Sequence, residues 1–165
     1  MARVFMISDL HLGHKNVLKF RHCRYDSLDE MHQDAITSWN SVVTKRDLVY
    51  VLGDIAWGSA ALQLYKEMNG NKTLIMGNHD KFKPSELLSI FGSIHGARAY
   101  KGHILTHIPI HPSEFRRWRY NIHGHLHGNK IKDPRYINVN VDTLKSFFPV
   151  PFDQLIREHE RRIAY

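Results

Sequence analysis

Residues 48–54 have the sequence LVYVLGD, a run of five apolar residues that ends in a glycine and an aspartate. A short, continuous apolar run is typical of a strand that is buried on both faces of a sheet. Residues 4–9, VFMISD, and residues 73–80, TLIMGNHD, have the same form, with polar residues after an apolar run. We therefore predict three buried strands, each of which delivers polar side chains at its carboxyl end.

Helical patterns lie between these strands. Ser27 and Glu30 match a capping box, and apolar residues then recur at helical spacing, which predicts a helix over residues 28–42. A second helix is predicted over residues 60–68. The alternation of strands and helices predicts a parallel sheet with crossover helices. In such a sheet, ligands gather in a crevice at the carboxyl ends of the strands.

The second half of the chain has a different pattern. After a short helix predicted over residues 84–91, short strands are predicted over residues 97–101, 104–106, 120–122 and 136–141, as in an antiparallel or mixed second sheet. Pro149 and Pro151 precede a last amphipathic helix over residues 152–163. The sequence contains no internal repeat and no linker-like tract, so residues 1–165 are predicted to form a single α/β domain.

The composition limits the kind of protein and its partners. The 42% hydrophobic and 24% charged fractions are those of an ordinary soluble chain, and the net charge of +7 favours anionic partners such as nucleotides or nucleic acid. No apolar run approaches the ~20 residues that a membrane-spanning helix needs, and the amino terminus lacks a secretory signal. We therefore expect a cytoplasmic protein without a membrane partner, as a monomer or a small homo-oligomer.

Cys23 is the only cysteine, which excludes an intramolecular disulfide and a cysteine-based zinc site. We expect it to be a free, non-catalytic thiol.

Polar clusters follow five of the predicted strands, and together they predict a metal centre. The residues are Asp9 and His11, then Asp54, then Asn78, His79 and Asp80, then His107, and finally His125 and His127. Carboxylate, imidazole and amide ligands suit Mn²⁺, Fe, Zn²⁺ or Ni²⁺. Asp9 and His11 form a doublet of residues two positions apart, and His125 and His127 form another. In an extended chain both members of a doublet would face one cavity, while Leu10 and Leu126 point away.

This ordered set strongly resembles the calcineurin-like metallophosphoesterase family, whose pattern is Asp-x-His, Gly-Asp, Gly-Asn-His-Asp or -Glu, His, and Gly-His-x-His. The resemblance runs from Ser8 to His127 and is strongest to the small stand-alone bacterial and phage members. It implies a four-layer α/β/β/α sandwich of two mixed sheets flanked by helices. It also implies two divalent metal ions, of which Mn²⁺ is favoured, with Fe, Zn²⁺, Ni²⁺ or Mg²⁺ as alternatives.

The resemblance also assigns roles to the residues. One metal would be held by Asp9, His11, Asp54 and His127, and the other by Asp54, Asn78, His107 and His125. Asp54 would bridge the two metals. His79 would be the histidine near the leaving group, which binds no metal, and Asp80 its orienting partner. The chain departs from the family at Lys81, where an arginine is usual, and in the run Gly53-Asp54-Ile55-Ala56-Trp57, which lacks a second acidic residue.

Other residues are candidates for substrate binding. Asn78 and His14 could contact the substrate phosphate, although a solvated loop histidine is the alternative for His14. Arg116, Arg117 and Arg119 surround Trp118 and could bind phosphate or stack on a base, or they could form a solvated turn. Because they precede His125, we expect them near the metal centre.

The function implied is a metal-dependent phosphoesterase that acts on phosphomonoesters or phosphodiesters, with diesters slightly favoured. A hydroxide bound at the dinuclear centre would attack phosphorus in line, without a covalent enzyme intermediate, and His79 would stabilise the transition state or protonate the departing oxygen. A nucleotide or another small phosphoester is the favoured substrate. Two other classes stay open: a metal-supported binding or scaffold module of the same fold, and a nuclease, which the basic charge suggests.

Overall fold

The computed structural model describes residues 2–21 and 24–164, which form nine strands and six α-helices. The strands are β1 (Val4–Ile7), β2 (Leu48–Val51), β3 (Asn71–Ile75), β4 (Ser93–His95), β5 (Ala97–Tyr100), β6 (His103–Thr106), β7 (Asn121–His123), β8 (Tyr136–Asn138) and β9 (Val150–Pro151). The helices are α1 (Val17–Phe20), α2 (Leu28–Val42), α3 (Ser59–Gln63), α4 (Pro84–Leu88), α5 (Val141–Leu144) and α6 (Phe152–Ile163). Short 3₁₀ helices span Leu64–Lys66 and Pro112–Arg116. Cys23 lies outside the described residues.

The strands form two mixed sheets. The first has the order β4-β3-β2-β1-β9, in which only β9 is antiparallel to its neighbour. The second has the order β5-β6-β7-β8, with β5 antiparallel to β6 and the other pairs parallel. Ile7 pairs with Val51, and Val51 with Leu74. The polar residues that follow β1, β2 and β3 therefore emerge at the same edge.

Two apolar cores follow from the alternation of side chains along β1 and β2. Phe5 and Val49 point into a core that includes Met31 and Trp39 of α2, whereas Met6 and Tyr50 point to the opposite face of the sheet. That second core contains Leu105, Ile122 and Ile137 of the second sheet. The first sheet thus lies between helices and the second sheet, which confirms the α/β class with two mixed sheets and flanking helices.

The predicted helix over residues 28–42 is confirmed, and Ser27 accepts a hydrogen bond from the Glu30 N–H. In a capping box the Glu30 carboxylate would in turn accept a hydrogen bond from the Ser27 N–H. Here it accepts from the N–H of the preceding residue, Asp26. The second predicted helix is shorter than expected, since α3 ends at Gln63 and continues only as a 3₁₀ turn.

Two strands, β4 and β9, were not predicted. They are only three and two residues long and lie at the two edges of the first sheet, where proline is tolerated. From β9 the chain enters α6, which packs Phe152, Leu155 and Ile156 against the core between the sheets. No helix among the described residues combines the length and apolarity that crossing a membrane requires.

Candidate metal centre

The structure brings six of the predicted metal ligands into two groups. The first contains Asp9, His11 and His127, and the second contains Asp54, His107 and His125. Within each group, one potential ligand atom from every residue lies within 4.8 Å of the others. The groups consist of residues that are up to 118 positions apart in the sequence, so the tertiary fold assembles them.

Asp54 connects the two groups through a single oxygen. Its Oδ2 lies 3.7 Å from Nε2 of His11 and 3.3 Å from Nε2 of His107. The seventh predicted ligand, Asn78, lies on the side of the second group, with Oδ1 2.9 Å from Nε2 of His107 and 3.0 Å from Nδ1 of His125. All seven predicted ligands therefore face one region.

The predicted reason for the doublets was wrong, because their residues are not in extended strands. Asp9 has φ 60°, His11 49°, His125 66° and His127 49°. Together with Asp54 at φ 53°, they account for five of the seven described non-glycine residues with positive φ. Left-handed backbone costs an L-residue of the order of 1 kcal/mol, and such conformations concentrate at functional sites. Turns beyond the strand ends, rather than strand alternation, direct these side chains.

Gly77 and Gly124 allow the strand-end segments to approach each other. A Cβ at Gly124 would collide with the side chains of Ser8 and Asp9, and a Cβ at Gly77 would collide with Asp54. Because Gly124 has no side chain, Asp9 can approach this segment, and its Oδ2 accepts a hydrogen bond from the backbone N–H of His125 at 3.0 Å. The glycines of the motifs are therefore needed for close packing around the predicted ligands.

Burial governs the protonation of His11 and Asp9 in the first group. It lowers the pKa of His11 to about 3, so the imidazole is neutral near pH 7. Burial also raises the pKa of Asp9 to about 6. The Nε2 atom of His11 has no hydrogen-bond partner among the described residues, although carboxylate oxygens lie 3.7 and 3.8 Å away. A divalent cation fits this set of donors, since it would occupy the lone pair of His11 and favour the ionised form of Asp9.

The second group also presents acceptor atoms to a common point. The Nδ1–H of His107 donates to the Leu52 carbonyl at 2.7 Å, which leaves Nε2 facing oxygens of Asp54 and Asn78. Burial disfavours ionised Asp54, but the hydrogen bond and charge of His107 outweigh burial and hold the pKa of Asp54 at about 2. A proton or a metal ion has to lie between these acceptors, so this group too fits a cation.

Asp142 supports His127, and Arg21 supports Asp142. Asp142 Oδ2 accepts a hydrogen bond from Nδ1 of His127 at 2.7 Å, which leaves Nε2 of that ring as the atom free for a metal. The guanidinium of Arg21 donates to Asp142 Oδ1 at 2.9 Å and to the carbonyls of Asp9 and Leu10. Arg21 was not singled out from the sequence, because no motif or periodicity marks it.

Asp80 has a different partner from the one predicted. It is buried, and its carboxylate accepts hydrogen bonds from the backbone N–H groups of Gly77, Asp54 and Ile55, at 2.7 to 3.0 Å. Among the described residues it makes no hydrogen bond to the His79 ring. Because a carboxylate can accept several N–H bonds, Asp80 joins the segment after β2 to the segment after β3.

His79 and His14 both lie beside the first group. The His79 ring is 6.0 Å from the His11 ring, and its backbone N–H donates to Asp54 Oδ1 at 2.9 Å. The centre of the His14 ring is also 6.0 Å from that of His11, and it is 4.7 Å from the centre of the Trp57 indole. Neither His79 nor His14 belongs to a ligand group. Both are therefore placed at the border of the centre.

A cavity of about 820 Å³ has His127 of the first group among its lining residues. It shares His127 and Asp142 with the centre, and Arg24, Lys145 and Phe147 are among the residues that line it. The cavity therefore combines cationic and apolar groups next to a predicted ligand.

Arg119, one of the arginines around Trp118, is not at the centre, contrary to expectation. The backbone N–H of Arg119 donates to Gly102 in the turn that precedes β6, whereas His107 follows the other end of that strand. The Arg119 guanidinium is also paired with Glu160 of α6 at 2.6 Å. Arg119 therefore lies at the opposite end of the second sheet from the centre.

A family model described as calcineurin-like phosphoesterase matches residues 2–161. The chain belongs to the calcineurin-like phosphoesterase family. This match covers every strand and all the predicted ligands. This membership confirms the resemblance that was inferred from the motifs. The family description names phosphoesterases as a class and specifies no substrate.

Similar proteins are found in Methanocaldococcus jannaschii, Mycobacterium phage L5 and Aquifex aeolicus. The chain is 31% identical over 176 residues to the uncharacterized protein MJ1445 of Methanocaldococcus jannaschii, with 98% of this chain and 93% of that protein covered. It is 32% identical over 182 residues to the gene 66 protein of Mycobacterium phage L5, with 86% and 87% covered. The crystal structure of AQ665, a protein of unknown function from Aquifex aeolicus, matches with a TM-score of 0.74 and 27% identity, over 96% of this chain and all of that one.

Proposed function

We propose that this family member hydrolyses phosphomonoesters or phosphodiesters with the help of two divalent cations, for which Mn²⁺ is the first candidate. The observation that carries the proposal is the position of Asp54 Oδ2, 3.7 Å from His11 Nε2 and 3.3 Å from His107 Nε2. A carboxylate oxygen between two groups of imidazole and carboxylate donors is suited to a bridging role. This arrangement supports a dinuclear centre better than two separate sites.

The contacts around that oxygen support the two ligand sets that the family resemblance implies. Asp9, His11, Asp54 and His127 would hold one cation, and Asp54, Asn78, His107 and His125 the other. Such cations, when bound, polarise a phosphoryl group, lower the pKa of water and offset charge on the leaving oxygen. Nitrogen and oxygen donors without thiolates suit Mn²⁺, Fe, Zn²⁺, Ni²⁺ and Mg²⁺, so these ligands are compatible with all five metals.

The protein's own part in the reaction would be proton transfer and orientation. His79 is exposed, it is outside both ligand groups, and its backbone is held by Asp54. We assign it the protonation of the leaving oxygen, a task for which histidine is suited near neutral pH. Asn78 and His14 would bind phosphoryl oxygens at the border of the centre, and Arg21 and Asp142 would keep His127 in position.

The test is hydrolysis of bis(p-nitrophenyl) phosphate and p-nitrophenyl phosphate by protein loaded with Mn²⁺, with bound metal measured by mass spectrometry. Asp54→Asn should lose hydrolysis and most of the metal. Asp153→Asn is the matched control, since the Asp153 side chain is exposed and, among the described residues, pairs only with Lys101. Full metal content without hydrolysis of either ester would contradict the proposal and favour a scaffold module instead.

A further inference from the structure

Trp57 combines large exposure with a position at the candidate centre. Its side chain is 54% exposed, whereas Trp39 of α2 is completely buried. We propose that Trp57 is a stacking surface for the base of a nucleotide-type phosphoester, an inference that rests on the proposed function. It assigns a substrate class to the site, namely phosphoesters that carry a nucleobase.

The backbone of Trp57 is attached to the segment that carries His11. The Trp57 N–H donates to the Leu12 carbonyl at 2.7 Å, and Leu12 forms a parallel bridge with Ala56. A Cβ at Gly13 would lie 2.7 Å from the Trp57 carbonyl oxygen, so the two segments can pack this closely only with glycine there. The position of the indole is therefore tied to that of a predicted metal ligand.

The indole lies beside the residue assigned to the leaving group. Its ring centre is 6.0 Å from that of His79 and 4.7 Å from that of His14. The planes of the indole and the His14 ring are inclined at 64°, so the two rings do not stack in parallel. A phosphoester with its leaving oxygen at His79 would bring the attached organic group to this part of the surface.

The chemistry of the surroundings favours a nucleobase over a protein partner. The residues next to Trp57, 58–60, are exposed and small, and the aromatic rings beside it are those of two histidines. Protein-docking patches are larger and contiguous. A planar base needs only one aromatic face, and stacking tolerates any base. The net charge of +7 attracts the phosphate that accompanies the base.

The experiment compares two ligands that share a phosphate and a sugar. Binding of adenosine 5′-monophosphate and of ribose 5-phosphate to the Mn²⁺-loaded protein is measured by calorimetry, for the wild type, Trp57→Leu and Trp57→Phe. Trp118→Leu is the control, because its neighbour Arg119 contacts the turn before β6, away from the centre. Melting temperatures establish that each variant is folded.

The wild type should bind the nucleotide on the order of tenfold more tightly than ribose 5-phosphate, and Trp57→Leu should remove that preference. Trp57→Phe should keep part of it, and Trp118→Leu all of it. Equal binding of the two ligands by the wild type, or no binding of either, overturns the inference. Hydrolysis of the nitrophenyl esters by the same wild-type preparation separates the two proposals, because it persists if only the stacking surface is wrong.

Discussion

Arg21 and Asp142 form an ion pair in which Nε of Arg21 lies 2.9 Å from Oδ1 of Asp142, although 121 residues separate them in the sequence. The pair is one link in a chain of contacts, since Asp142 also accepts from His127 and Arg21 also donates to the carbonyls of Asp9 and Leu10. Two distant segments that carry predicted ligands of the same group are thereby held together. Contacts of this kind fix the orientation of a ligand before the metal binds.

Asp142→Ala should weaken Mn²⁺ binding by about 10- to 100-fold, because the His127 ring loses the partner that sets its orientation and its tautomer. Calorimetric titration of the metal-free protein with Mn²⁺ measures the change. Asp133→Ala serves as the control, since within the described part of the chain the Asp133 side chain pairs only with the exposed Arg135. Unchanged affinity in Asp142→Ala would mean that this contact does not support a ligand.

His79→Ala should lower turnover of an alkyl phosphoester, which has a poor leaving group, by ~10²–10⁴-fold. The effect on nitrophenyl esters should be much smaller, because their leaving oxygen needs little protonation. Metal content should stay close to that of the wild type, since His79 belongs to neither ligand group. A similar loss on both kinds of ester would exclude a role for His79 in proton transfer.

Asp80→Asn should lower the free energy of unfolding by about 1–3 kcal/mol, because one of the three backbone N–H groups that Asp80 binds would face the amide NH₂. Urea denaturation of the metal-free protein measures this loss. His79→Ala provides the comparison, as its exposed side chain should contribute little to stability. If Asp80 served only to orient His79, the two variants would be equally stable.

Gly124→Ala should prevent the centre from forming, since the added Cβ would collide with Ser8 and Asp9. Gly128→Ala, four residues later in the same segment, is the matched control because a Cβ there meets nothing within 4 Å. Mn²⁺ binding and melting temperature should both fall in the first variant and change little in the second. Normal Mn²⁺ binding by Gly124→Ala would show that the segment can shift without loss of the centre.

Asp47 should make stability depend on pH below about pH 4. Burial alone would raise the pKa of its carboxyl, but hydrogen bonds from Arg3 and Thr44 outweigh burial and hold it well below the ordinary 3.8. A depressed folded-state pKa stabilises the protein above the unfolded pKa, and this contribution is lost as the pH falls. The stability difference between wild type and Asp47→Asn should therefore be constant near neutral pH and shrink below about pH 4. A difference that grows on acidification would contradict the assignment.

Most of the site was predictable because its residues belong to local motifs. A buried strand such as β2 has a recognisable apolar run, and the residue after it, Asp54, has to emerge at the edge of the sheet. Since parallel strands share that edge, Asp9 and Asn78 were expected beside Asp54 without knowledge of any coordinate. The chemistry of carboxylate, imidazole and amide groups then indicated a metal.

The remaining features depend on contacts between distant segments. The left-handed turns that direct His11 and His127, the exposure of Trp57 and the hydrogen bonds of Asp80 have no signature in local sequence. A side chain's type states which partners it can bind, but not which partner lies within reach.

The sequence by itself therefore determined the α/β fold, the edge at which ligands collect and the residue types that collect there. These properties follow from short-range rules of hydrophobic spacing and chain direction. Only the tertiary structure decided that Arg21 reaches Asp142, that Asp80 binds backbone and that one oxygen of Asp54 stands between two groups. Hydrogen bonds and ion pairs act over about 3 Å, and only the folded chain brings groups from both ends of the sequence to that distance.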